Sequence, residues 1–180
     1  MAANSRRVAD LPQQLDRALH RDLADLREPV IRRICIALLV VLCALGLANL
    51  FGQRPGTSKA ATAAASLSLY APTHLRSGLY FEARFHVVAR RELKKATLVL
   101  DPGWAEGITI NTIEPSPIGE ASADGKLVLT LGHIPAGKSY IVFMQLQVNP
   151  TNVGHRSQDV ELDDGTTPLL RIERAVTIFP

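Results

Sequence analysis

The chain has 180 residues and a net charge of +3, from 20 Lys and Arg against 17 Asp and Glu. Residues 1–33 carry seven Arg against five acids, and residues 53–180 carry thirteen basic side chains against twelve acidic ones. No strongly basic domain exists, so nucleic acid is not an expected partner. Both cysteines, Cys35 and Cys43, fall inside an apolar run, so the remainder of the chain has no disulfide or thiol chemistry.

Residues 1–33 read as a cytoplasmic segment holding a short amphipathic helix. Asp10 and Gln13 have the spacing of a capping box, and Pro12 suits a first helical turn. Leu15, Leu19, Leu23 and Leu26 recur at three- to four-residue steps and form a contact stripe for lipid or a partner. Glu28-Pro29 is expected to interrupt this helix, because the residue before a proline disfavours the helical region.

Residues 34–52 are uncharged and apolar on every side. A helix of that length reaches about 28 Å, close to the hydrocarbon thickness of a bilayer. The reading is a single transmembrane helix acting as a signal-anchor. A cleaved signal peptide is the rival, with Ala61-Thr62-Ala63 as its small-residue site, but that site lies far from the apolar run. Arg17, Arg21, Arg27, Arg32 and Arg33 precede the run, whereas Arg54 and Lys59 follow it. The positive-inside rule then keeps the N-terminus in the cytoplasm and exports the C-terminal part across the inner membrane. Residues 53–65, "QRPGTSKAATAAA", are small and patternless, and read as a flexible linker.

From residue 66 the pattern alternates with period two. In "LYFEARFHVVA", Phe81, Ala83, Phe85, Val87 and Ala89 share one face, and Glu82, Arg84 and His86 the other. "KLVLTL" and "SYIVFMQLQV" alternate likewise, and shorter runs lie at 66–70, 96–100, 108–113, 157–162 and 169–178. Asp101-Pro102-Gly103, Asp124-Gly125, Pro135-Ala136-Gly137 and Asp163-Asp164-Gly165 mark turns between them. The fold class is therefore mainly β. It combines one N-terminal transmembrane helix with an antiparallel β-sandwich of seven or eight strands over residues 66–180.

The order of these segments carries a resemblance. Gly78 opens a long alternating strand, Ile134-Pro135-Ala136-Gly137-Lys138-Ser139 opens another, and Gly154 leads the closing segment. In this residues 66–180 resemble the small Ig-like sandwich modules of bacterial surface proteins. The resemblance implies an Ig-like fold and a non-catalytic adhesive, spacer or assembly role, and it implies no active site.

The search for chemistry points the same way. The five histidines show no zinc-protease spacing, and there is no nucleophile elbow or phosphate loop. Asp159, Glu161, Asp163 and Asp164 gather oxygens near one turn without the spacing of a known calcium loop. No cofactor, metal or small-molecule substrate is expected. Three apolar residues stand out as candidate interface. Ile141 and Phe143 point opposite to Val142 and Met144, and Trp104 lies in a predicted loop. The reading is a membrane-anchored binding or assembly module whose partners are the bilayer and a membrane protein near the outer surface of the cytoplasmic membrane. The alternative is a transmembrane signalling regulator, with a partner held on the leucine helix and a ligand sensed by the sandwich.

Overall fold

A computed structural model describes residues 11–48 and 53–180, with side chains described from Pro29 onward. Asp10 of the expected capping box and Asn49–Gly52 at the end of the apolar run lie outside the described residues, as do the side chains of Leu15, Leu19, Leu23 and Leu26. The chain divides into two compact units, residues 1–51 and 52–180.

The first unit contains one helix, α1, Leu11–Leu47. It does not break at Glu28-Pro29 as expected, because Pro29 lies inside it. A proline removes one backbone bond and crowds the preceding turn. Helix-forming sequence on both sides outweighs that local cost here. Pro29–Leu47 is 19 residues long, enough to cross a membrane, and none of it is buried within the protein. Leu38, Leu39, Val40, Val41 and Leu42 each expose more than half of their surface. Such a surface is compatible with lipid rather than water.

The second unit is a β-sandwich. Its strands are β1 (Pro55–Ala61), β2 (Ala65–Pro72), β3 (His74–Arg76), β4 (Tyr80–Ala89), β5 (Leu93–Leu100), β6 (Ile108–Glu114) and β7 (Gly119–Ala123), followed by β8 (Lys126–Ile134), β9 (Ser139–Val148), β10 (Gly154–Ser157), β11 (Val160–Asp164), β12 (Thr167–Ile172) and β13 (Ala175–Phe179). The first sheet runs β1-β2-β4-β9-β6 and the second β12-β11-β5-β8-β7, both antiparallel throughout. A small third sheet, β10-β13-β3, includes one parallel pair, β13 with β3.

Alternation explains the core. Phe81, Ala83, Phe85 and Val87 of β4 are buried, and so are Val142, Met144 and Leu146 of β9. The second sheet answers with Leu162, Leu98 and Leu129, which the register places in one row across β11, β5 and β8. These faces belong to one continuous cluster, as in two sheets packed face to face. Leu75, Val176 and Ile178 of the third sheet join the same cluster. The Asp124-Gly125 turn has both residues at positive φ, 52° and 77°, the conformation a two-residue hairpin between β7 and β8 requires.

Thirteen strands among the described residues replace the seven or eight expected. Two predicted runs each split in two. Residues 157–162 divide between β10 and β11, and residues 169–178 between β12 and β13.

The larger correction is the linker. Residues 55–61 are not a tether but an edge strand, paired with β2 from Pro55↔Pro72 to Ala61↔Ser66. Only Ala60 of this strand packs against the core. Backbone pairing to β2 holds β1 in place, so no hydrophobic period betrays it in the sequence. The turn after it is closed by Thr62, whose N–H donates to the Ala65 carbonyl at 2.8 Å. Seven residues, 48–54, now separate α1 from β1. Cleavage near Ala61-Thr62-Ala63 would remove β1 from its sheet.

Candidate functional site

The three candidate interface residues separate into two groups. Trp104 is core. It ends a single 3-10 turn, Pro102–Trp104, and has 0% exposure. Its Nε1–H donates to the Gln158 carbonyl at 3.0 Å, and its ring lies 5.3 Å from that of Phe85, tilted by 55°. The Arg174 guanidinium sits 5.4 Å above the ring. The expectation of a surface aromatic fails because Gly103 lets the turn pass tightly against the β10 backbone. That approach swings the indole inward between the sheets.

Ile141 and Phe143 stand on the outer face of the first sheet, each 38% exposed, while Val142 and Met144, which alternate with them, are fully buried. Register assigns their neighbours. One row across β1, β2, β4 and β9 reads Lys59, Ser68, His86, Ile141. The next reads Thr57, Tyr70, Arg84, Phe143, with Glu114 of β6 beyond. Within that row Arg84 bridges two rings, 4.9 Å from the centroid of Phe143 and 5.7 Å from that of Tyr70. Its guanidinium also donates to Glu82 at 3.3 Å. A cation over an aromatic face is attracted by the ring quadrupole. This row, Tyr70–Arg84–Phe143, is therefore a preformed aromatic and cationic surface. No single-strand pattern contains it, since its members come from three strands.

Two of the four acidic residues considered for calcium, Asp159 and Asp164, are engaged elsewhere. Asp159 accepts from Arg171 at 2.6 Å and from the Arg174 N–H at 2.7 Å. Burial works against the Asp159 carboxylate, but the Arg171 hydrogen bond, the Arg174 N–H and the charge of Arg171 together hold it below the usual range. Arg171 is held correspondingly above its own. Asp164 Oδ1 accepts the Lys95 N–H at 2.8 Å. Burial pushes Asp163 up, with Glu161 adding to it and Lys126 opposing, and its Oδ1 is buried without a hydrogen bond. No group of three His, Cys, Asp or Glu placed to hold a metal occurs among the described residues.

Asp101, just before the Trp104 turn, is committed to contacts within the fold. Its carboxylate accepts from the Ser157 hydroxyl at 2.6 Å and pairs with Lys126 at 3.3 Å. Arg174 is a buried cation in this region of the core. Burial lowers it to about 10, so it stays charged at neutral pH, with Nη2 donating to the Pro72 carbonyl at 2.7 Å.

No family model matches the chain, and no curated protein matches it. Three solved structures illustrate its similarity. The C-terminal domain of Wzt aligns at 15% identity and a TM-score of 0.40, covering 72% of this chain and 81% of that one. The CARDB domain of a Pyrococcus furiosus protein, solved with di-metal ions, aligns at 12% identity and 0.36, covering 71% and 96%. A von Willebrand factor type A structure from Catenulispora acidiphila aligns at 18% identity and 0.35, covering 50% and 24%. These likenesses are loose and supply nothing about function; the sandwich architecture rests on the chain's own strand pairing.

Proposed function

We propose that this chain is a single-pass, membrane-anchored and non-catalytic binding or assembly module. Its Ig-like sandwich acts outside the cytoplasmic membrane and its N-terminus stays inside. The single observation that carries the reading is the outer face of the first sheet. There Ile141 and Phe143 stay half-exposed beside Tyr70 and Arg84 on an open sheet surface. Aromatic and Arg side chains clustered on one face are the residue types that dominate binding energy at protein interfaces. The seven residues between α1 and β1 span at most about 25 Å when extended, so a partner near the membrane is within reach.

A second reading is favoured by one observation. The helix runs from Leu11 to Leu47 without interruption, so the leucine stripe and the apolar segment form one continuous element. That continuity suits a transmembrane signalling regulator whose cytoplasmic leucines hold a partner.

The test uses full-length protein in its own membrane, with Cys35 and Cys43 replaced by Ala. A cysteine at Ser122 is expected to react with an impermeant maleimide in spheroplasts, and one at Ser5 only after permeabilisation. A photo-crosslinking residue at Ile141 is expected to give a discrete protein adduct that Phe143→Ser abolishes. Reversed labelling refutes the orientation, and an unchanged adduct in Phe143→Ser refutes the contact face. Deleting residues 1–28 separates the two readings, since only the regulator loses its partner.

A further inference from the structure

We propose that a trough on this outer face receives the carboxylate side chains of an acidic protein segment, which at the same time covers Ile141 and Phe143. The inference rests on the contact-face reading and names the chemistry of the partner. The trough has a volume of about 360 Å³ and is lined by Lys59, Ser66, Ser68, His86, Val88 and Arg90, among others. Its floor follows from side-chain size. Ser66 and Ser68 project outward from β2 between Lys59 of β1 and the pair His86 and Val88 of β4. Two small hydroxyl side chains between longer neighbours leave a depression whose floor can donate hydrogen bonds.

Charge decides what it accepts. No carboxylate lines the trough. Among the described residues neither Lys59 nor Arg90 forms an ion pair. Arg90 Nη1 donates to the Thr62 carbonyl at 3.1 Å, which fixes the guanidinium at the rim. Glu82 on β4 and Glu92 just after it are already committed, to Arg84 at 3.3 Å and to His133 at 2.9 Å. Arg91 and Lys138 add exposed positive charge on the adjoining turns, which backbone bonds from Arg91 to Ala64 and from Ala89 to Lys138 tie together. A carboxylate entering here gains charge-assisted hydrogen bonds, and a cationic partner is repelled.

The occupant follows from what lies beside the trough. The row Lys59, Ser68, His86 ends on Ile141, and Phe143 stands in the next row. Cationic and apolar surface therefore share one sheet face, about 15 Å apart across three strand spacings, which suits a segment carrying both acidic and apolar side chains. An anionic headgroup surface fits less well, because it presents charge without the apolar side chains that would cover Ile141 and Phe143.

The test uses the full chain in nanodiscs of phosphatidylcholine and a fluorescein-labelled peptide of alternating Glu and Leu. Saturable binding that weakens with added salt is expected, with no binding of the same peptide carrying Lys for Glu. The double variant Lys59→Glu, Arg90→Glu is expected to lower affinity about tenfold or more, which is about 1.4 kcal/mol per factor of ten. If it fails to fold by circular dichroism, Lys59→Gln with Arg90→Gln replaces it and is expected to give a smaller loss in the same direction. Phe143→Ser is expected to weaken binding without changing its salt dependence. Absent peptide binding, or binding indifferent to the trough variants, overturns the proposal. So does charge-dependent binding to phosphatidylglycerol vesicles without peptide binding, which would assign the trough to lipid headgroups. A Phe143-dependent crosslink that persists without peptide binding leaves the contact face standing and removes only the acidic partner. Trough-dependent peptide binding without that crosslink does the reverse.

Discussion

Replacing Trp104 by Ala tests the largest rearrangement between the linear pattern and the folded chain. The indole is fully buried, tilted against Phe85, capped by the Arg174 guanidinium and hydrogen-bonded to the Gln158 carbonyl. Truncating a buried aromatic to Ala typically costs about 3–5 kcal/mol. Leaving the Gln158 carbonyl without its donor adds about 1 kcal/mol or more. The sum of about 4–6 kcal/mol rivals the whole stability of an ordinary domain, about 5–15 kcal/mol. At about 4 °C per kcal/mol for a unit of this size, the midpoint falls by about 15–25 °C.

Trp104→Phe keeps a ring between Phe85 and Arg174 but loses the N–H donor. About half that shift is expected, since the lost hydrogen bond and the smaller ring account for about 2–3 kcal/mol. The assay is thermal melting of the full-length protein in detergent micelles, followed by circular dichroism. The wild-type protein offers an independent reading, because Trp104 is its single tryptophan. Its emission is expected to be blue-shifted and inaccessible to acrylamide. Ready quenching, or a Trp104→Ala midpoint within a few degrees of wild type, would refute the buried placement and return Trp104 to the surface.

Three further predictions concern the two faces of β9 and the turn that holds Trp104. Met144→Ala, which empties a fully buried site, is expected to cost about 2–5 kcal/mol. Phe143→Ser, which removes a part-covered side chain from the outer face, is expected to cost about 1–2 kcal/mol. A larger loss at Phe143 than at Met144 in melting experiments sinks the assignment of faces. Gly103→Ala is expected to destabilise by about 1–3 kcal/mol, because its Cβ would overlap the Ser157 carbonyl; a neutral result would mean that the turn does not pass so closely.

Asp159 and Asp163 are expected to respond to pH in opposite senses. Asp159 is held below its unfolded value, so its contribution is present above about pH 4 and fades as pH falls through the folded value. Asp159→Asn therefore lowers the midpoint at pH 7 and loses that effect in strong acid. Asp163 is raised, so ionising it costs stability as pH rises above about 4. Asp163→Asn is expected to raise the midpoint at pH 7 and to leave it unchanged at pH 3. Melting curves across that range check both signs, and parallel shifts in the two variants would contradict them.

The sequence by itself determined the parts of this protein that rest on local physics. The uncharged run that begins at Ile34 specifies an apolar helix, observed through Leu47, whatever surrounds it, because backbone bonding is internal to a helix. Period-two alternation in β4 and β9 specified which residues face inward, so Val142 and Met144 separated from Ile141 and Phe143 without reference to any other strand. Asp124-Gly125 specified its hairpin because few other residues accept two positive φ angles.

Tertiary structure alone decided what depends on a partner strand. β1 has almost no apolar side chains to announce it, and it is a strand only because β2 supplies its backbone bonds. Gly103 looks like an ordinary turn glycine until the Ser157 carbonyl is placed against it, and that contact turned Trp104 from a surface candidate into core. The candidate site divides along the same line. Ile141 and Phe143 were legible from alternation. The row Tyr70–Arg84–Phe143 and the trough between Lys59 and His86 were not, because residues far apart in the chain become neighbours only when the register of three antiparallel pairs is fixed.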